Sequence, residues 1–266
     1  MNLFKPRSAA LSMSRLFVAA SVIFMTLPGM ARAQHGGILE VPLAMSMNHL
    51  AVPVMAADGT ELQFMLSTGT PSTLISESAA AKGAIADLMM AGLPIGNDAQ
   101  VIPDANLEVD GHQFDGIVSA SILSSYDVLL DVPKGRMMMR PLGPPAEWQG
   151  VELGEPVALR IFHGFVMATD LQLNGHDYMA QFEIGINKVI VNEPVTQTLG
   201  FEGETIGAVT VAGREFGGLP VSHMEIDVFE RWDPDGNGFV LLGAPIARDC
   251  AIAISWIRAE LQVCAQ

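Results

Sequence analysis

A few groups of residues in this 266-residue chain have side-chain types and spacings that could do chemistry. In Met45-x-Met47-x-His49 the three side chains would share one face of a single strand, and two thioethers with an imidazole suit copper(I). The chain carries 16 methionines, however, Met137, Met138 and Met139 in succession among them. Methionine is therefore read as ordinary core filler, and no metal site is assigned. Asp233-Pro-Asp235-Gly-Asn237-Gly238 opens like an EF-hand loop, yet Ala244 stands where the bidentate glutamate belongs, and a turn rich in Asp, Asn and Gly accounts for it. Ser67, in Ser67-Thr68-Gly69, would be a nucleophile only beside a histidine, and nothing in the order of the chain brings His49, His112 or His163 to it. There is no G-x-S-x-G elbow, H-E-x-x-H helix, G-x-G-x-x-G turn or P-loop. No cofactor is expected.

Charge narrows the partners. Lys and Arg number 14 against 29 Asp and Glu, a net charge of −15, which excludes a phosphate backbone as the natural ligand. The first 15 residues hold Lys5, Arg7 and Arg15 without an acid, an apolar run follows from Leu16 to Leu27, and Ala31-Arg-Ala33 supplies a small-residue exit. That order predicts a secretory signal over 1–33 cleaved near Ala33, and a periplasmic or secreted protein. Cleavage removes four positive charges and no acid, leaving a net charge of −19 and no membrane-spanning segment. Cys250 and Cys264 flank two short strands about a turn near Ile257, which sets them opposite one another. In an oxidising compartment this favours a disulfide over two buried thiols.

Any site must be positioned mostly by short strands. The pattern predicts them at 39–54, 61–66, 101–109, 128–131 and 136–140, then at 157–161, 166–173, 178–183, 205–211, 221–226 and 239–242. Turn signals such as Asp58-Gly59, Lys134-Gly135, Asn174-Gly175 and Ala212-Gly213 punctuate them. Only 76–82 and 193–199 suggest helices. The Pro- and Gly-rich stretch 141–146 is the linker candidate, dividing 34–146 from 147–266.

Those halves repeat. Gln63-Phe-Met-Leu-Ser-Thr-Gly69 with Ser72-Thr-Leu-Ile-Ser76 parallels Ala180-Gln-Phe-Glu-Ile-Gly185 with Lys188-Val-Ile-Val-Asn192. Ile117-Val-Ser-Ala-Ser-Ile-Leu123 parallels Leu241-Leu-Gly-Ala-Pro-Ile-Ala247, and a hairpin closes each half, at 126–139 and 250–263.

Leu50-Ala-Val-Pro-Val54 with Asp58-Gly59 and Phe64-Met-Leu66, then Asp115-Gly-Ile-Val118 with Tyr126-Asp-Val-Leu-Leu-Asp131, then Leu242-Gly-Ala-Pro245 with Arg248-Asp249, carry a family likeness. In this order they resemble pepsin-like and retropepsin-like aspartic peptidases over nearly all of 34–266. The resemblance implies an all-β, two-lobed acid-protease fold, a duplicated retropepsin-like β-barrel with a few short helices. It also implies a cleft between the lobes that takes an extended peptide. The family's chemistry needs two aspartates sharing one proton. Their positions are held here by Ser67, in Ser67-Thr68-Gly69, and by Glu183, in Glu183-Ile184-Gly185. A glutamate sets its carboxylate about 1.5 Å too far, and misplacement on that scale costs on the order of 10²-fold in rate. The loop hydroxyl that reaches the opposite lobe survives as Thr68 but is lost at Ile184, and the Leu241-Leu242-Gly243 turn becomes Ile117-Val118-Ser119 in the first half. If the repeat were shifted by a few residues, Asp58, Asp115 and Asp131 would be the nearby aspartates, and none precedes Thr-Gly or Ser-Gly. The expectation is a pseudopeptidase that holds a peptide or protein segment, with a residually active aspartic-type endopeptidase as the alternative.

Overall fold

Strand Glu61–Leu66 shows how the sequence chooses its elements: Leu62, Phe64 and Leu66 are buried, while Glu61 is exposed and Gln63 half-buried between them. Central strands such as Tyr126–Asp131, Phe239–Leu242 and Ile252–Ser255 are instead buried on both faces, and the whole is a mostly β protein with three short α-helices among the described residues. The structure is a computed structural model. It describes residues 37–265 apart from 84, 110, 145–146, 165, 201–202 and 225–235. The predicted signal at 1–33 and residues 233–235 of the EF-hand-like turn lie outside the described residues.

Three large sheets form. An eight-stranded sheet draws every strand from 44–118, and a nine-stranded sheet draws every strand from 160–242. The repeat read from the sequence is a repeat of topology. In the first sheet the hairpin of His49–Met55 and Glu61–Leu66 sets Glu61–Leu66 parallel to Gly116–Val118, which pairs antiparallel with Leu74–Ser76. Leu74–Ser76 in turn lies parallel to Gln100–Ile102. In the second, the hairpin of Val166–Leu173 and His176–Phe182 sets His176–Phe182 parallel to Phe239–Leu242. That strand runs antiparallel to Val189–Val191, and Val189–Val191 parallel to Leu219–His223. A short helix follows each inner strand, Glu77–Ala80 after Ser76 and Glu193–Leu199 after Asn192. Ser76 Oγ caps the first by accepting from Ala79 N at 3.1 Å.

The six-stranded sheet belongs to neither half alone. Its order is Leu39–Pro42, Arg136–Pro141, Tyr126–Asp131, Ile252–Ser255, Glu260–Val263 and Val157–Ala158, and Leu129 stands opposite Ala253 at the seam. Beside that seam Asp127 Oδ2 accepts from Arg140 Nε at 3.1 Å and from Arg258 Nη1 at 2.9 Å. The Arg140 guanidinium lies 4.2 Å over the Trp148 ring, which covers Leu129, Met138 and Ala253. Cys250 and Cys264 are joined, with Cα atoms 5.4 Å apart and an exposed turn at Ile257 between their strands.

Some predicted strands divide. Residues 39–54 form Leu39–Pro42, Ala44–Ser46 and His49–Met55, because Met47 and Asn48 take φ of 49° and 61° in a tight hairpin turn. Met45 and His49 thus sit on different strands, with Met45 opposite Leu50, and the single-strand face that would have gathered Met45, Met47 and His49 does not form. His49 packs edge-on against Phe114 instead, 5.8 Å between ring centroids. The 101–109 strand breaks at Pro103 into Gln100–Ile102, a 3-10 turn at Asp104–Leu107 and Glu108–Val109.

Candidate functional site

The strands Glu61–Leu66 and His176–Phe182 end facing one another, and the first residue past each is Ser67 and Glu183. Each is fixed by the same backbone bond. Ser67 N donates to Val118 O at 3.1 Å, and Glu183 N donates to Leu242 O at 3.0 Å. Equivalent bonds follow one turn later, Ala120 N to Thr70 O at 2.8 Å and Ala244 N to Ile186 O at 2.9 Å. The two loops therefore arrive as near copies, and the six residues singled out in the sequence, Ser67, Thr68, Gly69, Glu183, Ile184 and Gly185, meet at one place.

Their hydrogen bonds cross between the sheets. Ser67 Oγ lies 3.0 Å from Glu183 Oε1, which also accepts from Thr68 N at 3.1 Å and Gly185 N at 2.6 Å. Thr68 Oγ1 donates to Phe182 O at 2.8 Å and accepts from Ile184 N at 3.2 Å. Ile184 is buried and brings no hydroxyl to return the grip. The extra methylene of Glu183 has a visible result: the carboxylate reaches across and rests on the opposite loop.

Ser67 is not poised for attack. Its Oγ accepts from Gly69 N at 3.2 Å and Thr70 N at 2.9 Å, and its one proton points to Glu183 Oε1 or to Thr70 Oγ1, 2.8 Å away. His49 and His112 instead both pack edge-on against Phe114, 5.8 and 4.6 Å between ring centroids. Asp58, Asp115 and Asp131 are engaged elsewhere, with Thr60 N, with Gln63 N and Lys82, and with Arg136 and Lys134.

The crevice here, about 330 Å³, is lined by Met65 and Gln181, Ser67 and Glu183, Gly69 and Gly185, Thr70 and Ile186, and Ile117 and Leu241. These are five matched pairs, one member from each half of the repeat. Gly185 is required by space, since a Cβ there would stand 2.6 Å from Glu183 Oε1 and 3.0 Å from Ser67 Cβ. Gly243 is required likewise, its Cβ position being 2.3 Å from Lys188 O. Its counterpart Ser119 is not a strained substitution. Ser119 is extended at φ −75°, fully buried, and its hydroxyl is bonded to Ser121 and Thr73. Sequence reading did not single out Met65, Thr70, Ile117, Gln181, Ile186 or Leu241 as lining residues, and of these the polar Gln181 matters most; a glutamine inside a strand gives no signal until the two sheets are brought together.

Burial pushes the Glu183 carboxyl above its ordinary value, against the opposing pull of hydrogen bonds from Gly185 N, Ser67 and Thr68 N. A carboxyl raised on folding stabilises the fold fully below its unfolded value, 4.5, and that contribution is lost as pH rises through the raised value. Glu183→Gln is therefore expected to hold its urea midpoint better than the native chain as pH is taken from acid to neutral. Parallel pH profiles for the two proteins would contradict this.

Among the described residues no group of three or more His, Cys, Asp or Glu is arranged to hold a metal, and no helix is long and apolar enough to cross a membrane. In comparisons with known proteins, no family model and no curated sequence matches this chain.

Proposed function

We propose that this chain is a two-lobed, pepsin-like protein that acts in the periplasm or outside the cell and holds an extended peptide or protein segment in its inter-lobe cleft without cutting it. The reading rests on one observation: the two loop positions that would carry a catalytic aspartate pair meet as Ser67 and Glu183, 3.0 Å apart, with a single carboxyl between them. The matched topology of the two sheets, the matched lining of the crevice and the seam sheet shared by both halves support the architecture. The signal-like N-terminus and the Cys250–Cys264 disulfide support export.

Peptide hydrolysis by this geometry needs an ionised carboxyl to take a proton from water and a protonated one to polarise the carbonyl. Glu183 can be only one of these, and the hydroxyl opposite it cannot be the other. The raised carboxyl favours the alternative, an acid-range endopeptidase working through Glu183 alone. A mass-spectrometric screen of a diverse peptide library from about pH 3 to 8 separates the two. The expected result is no cleavage, with peptides retained by the folded protein in an anisotropy assay. Cleavage by the native chain that vanishes in Glu183→Ala would establish the alternative.

A further inference from the structure

The polar atoms of the crevice are unevenly committed. Ser67 Oγ and Glu183 Oε1 are filled by neighbouring donors. The hydrogen bonds that Glu183 receives from Ser67, Thr68 N and Gly185 N all fall on Oε1 and leave Oε2 the uncommitted oxygen, and Gln181 Oε1 is buried without a partner. Both side chains are more than nine-tenths buried, at 8% and 7% exposure. They converge on Gly69, where a Cβ would stand 2.1 Å from Glu183 Oε2 and 3.1 Å from Gln181 Nε2. The carboxamide turns its nitrogen to this spot and its oxygen away, and a half-turn about the terminal bond exchanges the two, so that the oxygen would face a donor brought here. The matched positions on the other sheet are Met65 and Ser67, so the uncommitted polar side chains belong to one half, and the other half adds the apolar Met65 and Ile117 to the lining.

A ligand carbonyl brought to this spot would meet acceptors. A group with several N–H donors and a positive charge would satisfy both. The planar fork of an arginine prefers both oxygens of a carboxylate, and Oε1 is already taken; a compact ammonium needs one. A lysine stem can lie along the apolar lining while its head meets the acceptors, and a chain of net charge −15 attracts such peptides. Resting on the reading of the crevice as a peptide-holding cleft, we propose that it selects a lysine side chain of the bound segment, its ammonium held between Glu183 Oε2 and the Gln181 carboxamide.

The test is anisotropy at neutral pH with a positional library of extended peptides, each made with one lysine and again with Nε-acetyl-lysine at that place. At one register, acetylation is expected to weaken binding to the native chain about tenfold. Gln181→Met, which copies the residue matched to it in the first half, and Glu183→Gln are each expected to erase that preference, read within each variant as the ratio of its affinities for the lysine and acetyl-lysine peptides. Ile117→Arg, across the crevice, should displace both peptides. Peptides that bind and are displaced by Ile117→Arg, yet show no lysine preference, leave the peptide-holding cleft standing and overturn the lysine site. A preference that persists in both Gln181→Met and Glu183→Gln belongs to the acidic surface and overturns it as well. If no peptide binds, the cleft reading fails and the lysine site with it.

Discussion

A chain carrying Ser67→Asp and Glu183→Asp together is expected to cut peptides at acid pH, where the native chain is expected to leave them whole. The aspartate at 67 inherits the two backbone donors that now serve Ser67 Oγ, Gly69 N and Thr70 N. The aspartate at 183 is shorter by one methylene. Its carboxyl withdraws from the opposite loop and opens room for water between two acids a few ångströms apart. Such a pair cannot ionise twice, so one proton is shared and the required acid and base coexist over the acid range. General acid–base catalysis contributes on the order of 10²–10⁴-fold, and the double variant should exceed either single variant by a factor in that range. The measurement is the initial cleavage rate against pH, by mass spectrometry, on peptides that the native chain retains. A double variant that binds these peptides and still leaves them whole would count against the proposed pepsin-like architecture of the cleft, though not against peptide holding.

Asp127→Ala is expected to cost about 3–5 kcal/mol of stability, read from urea midpoints at constant slope. The Asp127 side chain is 1% exposed, and its removal leaves the buried Arg140 and the half-buried Arg258 without their shared acceptor at the seam between the halves. Replacing the buried pair together, Asp127→Leu with Arg140→Met, should recover much of the loss, because no uncompensated charge then remains inside. Truncating the exposed Arg160–Asp170 pair should cost under about 1 kcal/mol. Burial pushes the Asp127 carboxyl up, but hydrogen bonds from Ser255, Arg258 and Arg140 outweigh it and hold it below its ordinary value. Its contribution is thus present above 3.8 and lost as pH falls through the lowered value, the opposite sense to Glu183. An absence of acid-side loss in the native chain relative to the uncharged double variant would argue against this account.

Much of this arrangement was legible in the residues. Val166–Leu173 and Phe239–Leu242 run where the strand pattern and turn residues predict, and the helix Glu193–Leu199 carries its proline in the first turn and stops at Gly200, which takes φ 58°. The repeat aligned Ser67 with Glu183, and the structure brings both to one crevice. What escaped was short or relational. The three-residue inner strands Leu74–Ser76 and Val189–Val191 are too brief to show a period, although the repeat had matched their residues. The Met47-Asn48 turn has no glycine; Asn48, tolerant of positive φ, was its only local cue. Gln181 acquires meaning only through Leu241 beside it and Gly69 across the crevice. Ser119 looked like damage because Gly243 is its match, yet the backbone there is ordinary and only the neighbouring space differs.

The shared seam sheet also imposes an order in time. Tyr126–Asp131 cannot find its partner Ile252–Ser255 until about 120 further residues have been made, and the latter strand is pinned by a bridge to Cys264. The first half can build its own eight-stranded sheet early, but until the late hairpin docks it must wait with one flank of Tyr126–Asp131 unsatisfied. Completion is therefore a late, non-local event, and the interval before it is when a newborn copy is most exposed to pairing with another.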